Sequence, residues 1–519
     1  MIRISALLLV LMLLTSSYLF MSLPAKAGSE TIVVPDDYST IKEAINAAKE
    51  GDTIFVKKGT YEEKTLNIDK AISLTGEDRE YTKINLYPPL YQTDDIKWLW
   101  SYYGFAITVN ANDFKLSGFT IDTPNVTNLH GGAISIIGNK TQIIGNKITP
   151  SLSVKGSYAN IEENTLSRGV RLHGSYGHIS ENIIDGSGSI HCRGSYNSVN
   201  ANNVAGRNNW GINVGGDFCL VYGNRVTDSN SVCIYVDSDG TIVGKNSVDN
   251  CGIGIDITGS NNVVYGNLIT NCGVKPSVFA PDIESSQGSG IRASGSNFIF
   301  ANSIAKNVVG TRIYRHNRTN LMSNLYHNNF IDNTLQVSTR YILYGSDSFD
   351  NGKEGNYWSD YTGEDVNGDG ISDSPYVIDA NRSDRYPLMA PFDIDGVKLD
   401  LSDWMSPPLI DLISPTNTTY VPADVTLEFT VSKQTSWLSY SLDDKANLTI
   451  TGNITLGKLA YGSHKIQVYA TDLVGHKSTS ETTYFSVLEP FPATLLLASI
   501  GTTLVVVLGL LVYFKKRKR

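Results

Sequence analysis

Residues 169–204 read GVRLHGSYGHISENIIDGSGSIHCRGSYNSVNANNV. The stretch says nearly the same thing twice. Val170-Arg-Leu runs into His173-Gly-Ser-Tyr, and Ile190-His-Cys, roughly 20 residues on, runs into Arg193-Gly-Ser-Tyr. Aliphatic residues alternate with polar ones in each copy, which is the period of a strand with one buried face. Asn182 and Asn202 each stand two residues before an aliphatic, Ile184 and Val204. A unit this short cannot bury its own apolar face, so it must stack on its neighbours.

Outward from this stretch the pattern continues. Asn146, Asn164, Asn224, Asn246, Asn267, Asn302 and Asn328 repeat the Asn position, and GINV at Gly211, GIGI at Gly252 and GIRA at Gly290 repeat the strand. An insertion, VKPSVFAPDIESSQGS, interrupts the series at 274–289. Leucine-rich repeats share the period, but their Leu spacing is absent; a parallel β-helix fits better. The recurring Asn is expected in a left-handed turn conformation, its side chain bonding the Asn one rung above. A solenoid needs a cover on its open end. PDDYSTIKEAINAAKEGDTIFV supplies one: Ser39 is expected to cap a helix whose Ile41, Ala44, Ile45 and Ala48 share a face.

This capping phrase, the Asn-bearing coils and the later GNYWSDY, DVNGDGISDSPYVID and DRYPLM resemble the NosD-like group of right-handed parallel β-helix proteins, which overlaps the carbohydrate-binding and sugar-hydrolysis repeat proteins. The resemblance spans roughly residues 31 to 390. It implies an all-β, pectate-lyase-like solenoid. It does not settle activity, because such repeats serve lyases, glycosidases, adhesins and a copper-site assembly factor.

The ends imply a compartment. ALLLVLMLL behind Arg3, followed by Ala25-Lys26-Ala27, reads as a secretory signal over 1–27. Phe491–Phe514 is uncharged and precedes KKRKR, so 491–514 is expected to span the membrane with 515–519 in the cytoplasm. The rest then lies outside the cell: a cap over 28–60, the β-helix over 61–345, an Asp/Gly-rich segment over 346–400 and an immunoglobulin-like stalk over 407–488, read from about seven short alternating strands. Asn125, Asn139, Asn317, Asn381, Asn417, Asn447 and Asn453 head N-x-[ST] triplets, consistent with that placement. A net charge of −9 argues against nucleic acid as a partner.

Four features carry candidate chemistry. The first is an outward column, Ser153, Arg171, His191, Asn213, Tyr235, Gly254, Arg292 and Arg312, beside a second, Lys155, His173, Arg193, Gly215, Asp237 and Asp256. Lys155, Arg171, His173, His191 and Arg193, flanked by Tyr158, Tyr176 and Tyr196, would hold an acidic polysaccharide, since Arg forks onto carboxylates. The second is Asp237 with Asp256, expected on adjacent rungs at about the separation of a glycosidase pair. In a lyase, Arg193 or His191 would take the proton beside a uronate carboxyl. The third is DVNGDGISD, where Asp365, Asn367, Asp369, Asp373 and the carbonyl of Ile371 suit a structural calcium; Tyr376 stands where an EF-hand would put Glu. The fourth is the soft-ligand set. Without M-x-x-M, C-x-x-C or H-x-H, copper is not expected, although His173, His178 and His191 can be drawn near one another. Cys251 and Cys272 are one rung apart, within reach of a disulfide or stacked as thiols, while Cys192 and Cys233 read as inward and structural. The chain is thus expected to be a membrane-anchored surface protein that binds extracellular polysaccharide or envelope components. A polysaccharide lyase or glycosidase, a purely structural adhesin and a copper-site assembly factor are the alternatives.

Overall fold

The computed structural model describes residues 29–88, 105–126, 133–206, 210–273, 288–314, 322–339, 347–399, 401, 404, 406–421, 425–489 and 493–517, with the side chains of 493–500 excepted. The export signal, most of the 274–289 insertion and Asn317 lie outside these residues.

Each coil contributes three short strands to three parallel sheets. Among the described residues the sheets contain 13, 13 and 12 strands. One coil shows the rule: Val170–Leu172 lies in the third sheet, His178–Ser180 in the first and Ile183–Ile184 in the second. Inward positions Val170, Leu172, Ile179 and Ile184 are fully buried and meet the equivalent residues of the next coil. Each such side chain contributes about 1.5–3 kcal/mol of burial, so the core runs the length of the solenoid.

Asn turns the corner between the first and second sheets. Side-chain amides stack along the axis from Asn146 to Asn164, Asn182, Asn202, Asn224, Asn246, Asn267, Asn302, Asn328 and Asn356, each donating to the next carbonyl oxygen at 2.9 to 3.1 Å. The left-handed residue is not the Asn but the one before it, as at Glu163, Glu181, Ala201 and Lys245. The Asn keeps ordinary backbone angles and spends its side chain on the ladder.

The N-terminal cover is a helix over Ile41–Ala47 with Ile41, Ala44 and Ile45 buried. Its N-cap is Thr40 rather than Ser39. Thr40 has the extended backbone of a cap and accepts from the Glu43 N–H, while the Ser39 hydroxyl, one residue too early, bonds the Glu43 carboxylate. At the far end Trp358 lies between Phe330 and Tyr376, with ring centroids 4.4 and 4.2 Å away, and closes the core.

Residues 410–487 form a two-sheet β-sandwich around Leu427, Ile466, Val468 and Phe485. It does not stand off as a spacer. Phe392, Ile394, Leu399, Trp404 and Val474 pack on the outer face of the first sheet at Leu220, Ile242, Val263, Tyr265 and Phe300. Those strands, LVY, IVG, VVY and FIF, are apolar on both faces and need a cover. Beyond the sandwich, Ala493–Arg517 is helical and ends in Lys515, Lys516 and Arg517. Among the described residues no helix is long and apolar enough to cross a membrane.

Candidate functional site

The outer face of the third sheet gathers most of the polar side chains singled out above. Strand pairing aligns Ser153, Arg171, His191, Asn213, Tyr235, Asp256, Arg292 and Arg312 in one column. The residues two positions on, Lys155, His173, Arg193, Gly215, Asp237 and Thr258, each donate their N–H to the preceding rung and so form a second column.

One expectation fails here. Asp256 belongs to the first column, between Tyr235 and Arg292, and Gly254 to neither. The repeat GIGIDI, from Gly252, offers two glycines two residues apart, and a slip of two leaves every side chain on the same face. The pairing of Ile255 with Ile234 selects the later register. Asp237 therefore lies beside Thr258, whose hydroxyl donates to its carboxylate at 2.8 Å, and not beside Asp256. Asp256 is 1 % exposed and gripped at both oxygens by Arg292, with Arg292 Nε at 2.8 Å. Burial raises the Asp256 carboxyl in spite of that partner. The two carboxylates do not form the facing pair of a glycosidase.

The basic residues do converge. Lys155, Arg171 and Arg193 are exposed on three successive rungs, and among the described residues none is in an ion pair. His173 and His191 stand among them. Burial, followed by Arg171 and Arg193, pushes His191 down to about 4; burial, followed by Lys155 and the two arginines, lowers His173. Both rings are neutral at physiological pH and offer a proton acceptor between cations.

Trp210, absent from the sequence-based site, closes one side. Its ring stacks on Tyr235 at 5.7 Å and meets His191 edge-on at 6.0 Å. The signal was NNW immediately before the GINV strand. Asn213 lies between His191 and Tyr235 in the column, 2 % exposed, and its side-chain oxygen finds no hydrogen-bond partner among the described residues. A buried acceptor left so is costly unless a ligand or water supplies a donor.

The tyrosines beside the bases are occupied otherwise. Tyr158, Tyr176, Tyr196 and Phe218 stack face to face at 5.2, 5.1 and 5.3 Å, and His476 of the sandwich lies on Phe218 at 4.4 Å. Inside the stack both ring faces are spent on neighbours, so Tyr176 and Tyr196 offer a sugar only edges. His178 lies on the first sheet, bonded to Ser198, away from His173 and His191. Cys251 pairs with Cys233, at a Cα–Cα distance of 5.9 Å, because the coil returns it beside the rung before; Cys192, Cys219 and Cys272 are free and buried.

The 365–373 turn is exposed and closed by its own backbone. Asp365 accepts from Gly368 and Gly370, Asn367 from Asp369, Asp369 from Ile371, and Asp373 from Val366. Ile371 bridges to Leu388. Among the described residues no group of three or more His, Cys, Asp or Glu side chains gathers as a metal site.

Comparison with known proteins reaches the fold and stops there. No curated protein matches the sequence. Solved structures similar to this chain include the A-module of the Azotobacter vinelandii mannuronan C-5 epimerase AlgE6, 13% identical, TM-score 0.39, covering 60% of this chain and 92% of that one. The catalytic domain of a GH87 alpha-1,3-glucanase is 14% identical, TM-score 0.41, over 63% and 70% of the two chains. The PL6 family alginate lyase AlyGC is 14% identical, TM-score 0.37, over 76% and 62%. Likenesses of this size carry no inference about chemistry. Residues 210–357 match the family model described as "Right handed beta helix region", and the solenoid of this chain is accordingly a right-handed parallel β-helix.

Proposed function

We propose that the outer face of the third sheet binds an extracellular polysaccharide that carries carboxylates. The observation that supports this reading is the run of three cations, Lys155, Arg171 and Arg193, in no ion pair among the described residues and leading at rung spacing to the Trp210–Tyr235 platform and the Asn213 oxygen. Arg and Lys attract carboxylates, an indole face packs on a sugar ring, and a buried amide oxygen takes a hydroxyl. One exposed charge pair is worth about 0.2–1 kcal/mol, so binding requires several rungs at once, which a linear polymer provides.

A lyase remains the second reading because His191 is neutral and lies between two arginines. Cations that hold a uronate carboxylate beside a neutral imidazole favour removal of the adjacent carbon-bound proton. The rest of the proposal concerns display. Residues 1–27 would direct export, 491–514 would anchor the chain with the basic tail inside, the immunoglobulin-like sandwich would link head to membrane, and calcium would stiffen the 365–373 turn.

Calorimetric titration of the purified full chain with acidic polysaccharide tests the binding reading. The double variant Arg171→Ala, Arg193→Ala should bind at least about tenfold more weakly, since two charge-assisted contacts go, with an unchanged melting temperature. Unchanged affinity would overturn it. Unsaturated sugar products, formed by the wild type and absent with His191→Ala, would establish the lyase instead.

A further inference from the structure

We infer that the polymer held by this face is an acidic heteropolysaccharide, in which carboxylate-bearing sugars alternate with neutral or amino sugars, and not a homopolyuronate. The inference rests on the reading of the face as a polysaccharide site. It is carried by the way charge changes along the axis.

The rungs of Lys155, Arg171 and Arg193 present only positive charge to solvent. The next rung has no cation of its own and carries an exposed carboxylate, Asp217, at the turn just past its columns. Its two column residues are Asn213 and Gly215, and a Cβ on Gly215 would meet Arg193 Nη1 at 3.3 Å, so the Arg193 side chain reaches over this rung. One rung further, Asp237 is exposed and, among the described residues, accepts only from the Thr258 hydroxyl. The backbones of Arg193 and Asp237 are two rung spacings apart, about 10 Å, with the Arg193 guanidinium lying over the rung between them. Among the described residues no cation is in an ion pair with Asp237. Arg292 is engaged at Nε and Nη2 by Asp256, which is itself sealed from solvent. Along the two columns the face is therefore cationic over three rungs, without a charged residue of its own on the fourth, which Arg193 overhangs, and anionic at Asp237.

A homopolyuronate carries a carboxylate on every residue and lies along the rungs at a similar repeat. Whatever its register, a carboxylate falls near Asp237 once the cationic rungs are filled, and like charges repel there. A polymer with an uncharged or amine-bearing residue at that point avoids the clash. The fourth rung asks for the same thing. The Asn213 oxygen needs a hydroxyl or N–H donor, which an anionic carboxylate cannot supply, and the Trp210–Tyr235 stack beside it offers an apolar platform to a sugar face. Amino or N-acylated sugars satisfy both demands.

The test compares hyaluronan, which alternates uronate with N-acetylhexosamine, against polygalacturonate and neutral dextran. Binding to the full chain is titrated at physiological salt. Hyaluronan should bind about tenfold or more tightly than polygalacturonate, a preference of the size one like-charge contact creates, and dextran should not bind. Asp237→Asn, an isosteric change at an exposed position, should raise polygalacturonate affinity and collapse the preference; its melting temperature serves as the folding control. Asp237→Lys should reverse the preference. Equal or tighter binding of polygalacturonate by the wild type, with no response to either substitution, overturns the inference while leaving the polysaccharide reading intact. If neither acidic polymer binds, both fall together.

Discussion

Asp384 shows how much one buried group can carry. It ends the Asn ladder: its carboxylate accepts from the Asn356 N–H at 2.7 Å, the Trp358 indole at 2.9 Å and the Tyr386 N–H at 3.0 Å, and its side chain is sealed from solvent. Burial outweighs these donors and raises the carboxyl from 3.8 to about 6. A folded-state value above the unfolded one means that the proton stabilises the fold. This contribution is fully present below about 4 and is lost as pH rises through about 6; roughly two pKa units correspond to about 3 kcal/mol. His191, held down to about 4, acts in the opposite sense and adds stability as pH rises through its range. The difference between wild type and variant therefore isolates Asp384. Asp384→Asn should gain melting temperature relative to wild type at pH 7.5 and lose that advantage at pH 4.5. A constant difference across the two calorimetric scans would refute the assignment. The ladder's Asn positions were legible from the repeat; its carboxylate end was not, since Asp384 lies outside the repeat and reaches the axis only through the hairpin of Tyr376–Asp379 and Arg382–Asp384.

Among the elements, the Asn corner is the most demanding. Asn246 donates to the Val221 carbonyl and to Asn267, and accepts from both the backbone and the side chain of Asn224. Asn246→Ala removes all four bonds and strands buried partners at about 1–3 kcal/mol each, so a loss of at least about 3 kcal/mol is expected in denaturant unfolding. Asn203→Ala, a change at an exposed strand position, should stay within about 0.5 kcal/mol. Equal losses would deny the ladder its role. The 365–373 turn makes a contrasting element. Its Asp and Asn oxygens already accept backbone N–H groups, and each oxygen keeps a further lone pair for a cation. The proposed calcium would bind weakly, with a dissociation constant of about 10⁻⁴–10⁻³ M. Calcium at a hundredfold excess should then stabilise the wild type by about 2.7 kcal/mol, and Asp369→Ala should abolish the gain. Identical melting in calcium and in chelator would leave a turn held by its backbone alone.

At the scale of the whole molecule, the sandwich and the solenoid share an interface. Val474 is buried against Leu220, Ile242 and Val263, and its carbonyl oxygen approaches so closely that a Cβ on Gly240 would lie 2.5 Å from it. Val474→Asp places an unpaired charge in that contact and removes about 1.5–3 kcal/mol of burial. The two bodies should then separate, seen as a larger radius of gyration in solution scattering and as faster proteolysis between 391 and 409, with the far-ultraviolet spectrum unchanged. An unaltered radius would show that the linker contacts at Phe392, Ile394 and Trp404 suffice without Val474.

The sequence alone determined the repeat, the covering helix, the cationic rungs and the second β-rich body, because each is written in local periodicity or in residue type. Tertiary structure decided the rest. Asp256 moved one column over because a two-residue slip preserves alternation and only pairing with the neighbouring rungs distinguishes the registers. Cys251 chose Cys233 over Cys272, the tyrosines turned their faces to one another, and the sandwich lay down on the first sheet. All of these depend on which groups the coils bring within contact distance across the axis. A one-dimensional pattern records how often a residue type recurs, and it contains no term for which neighbour it will touch.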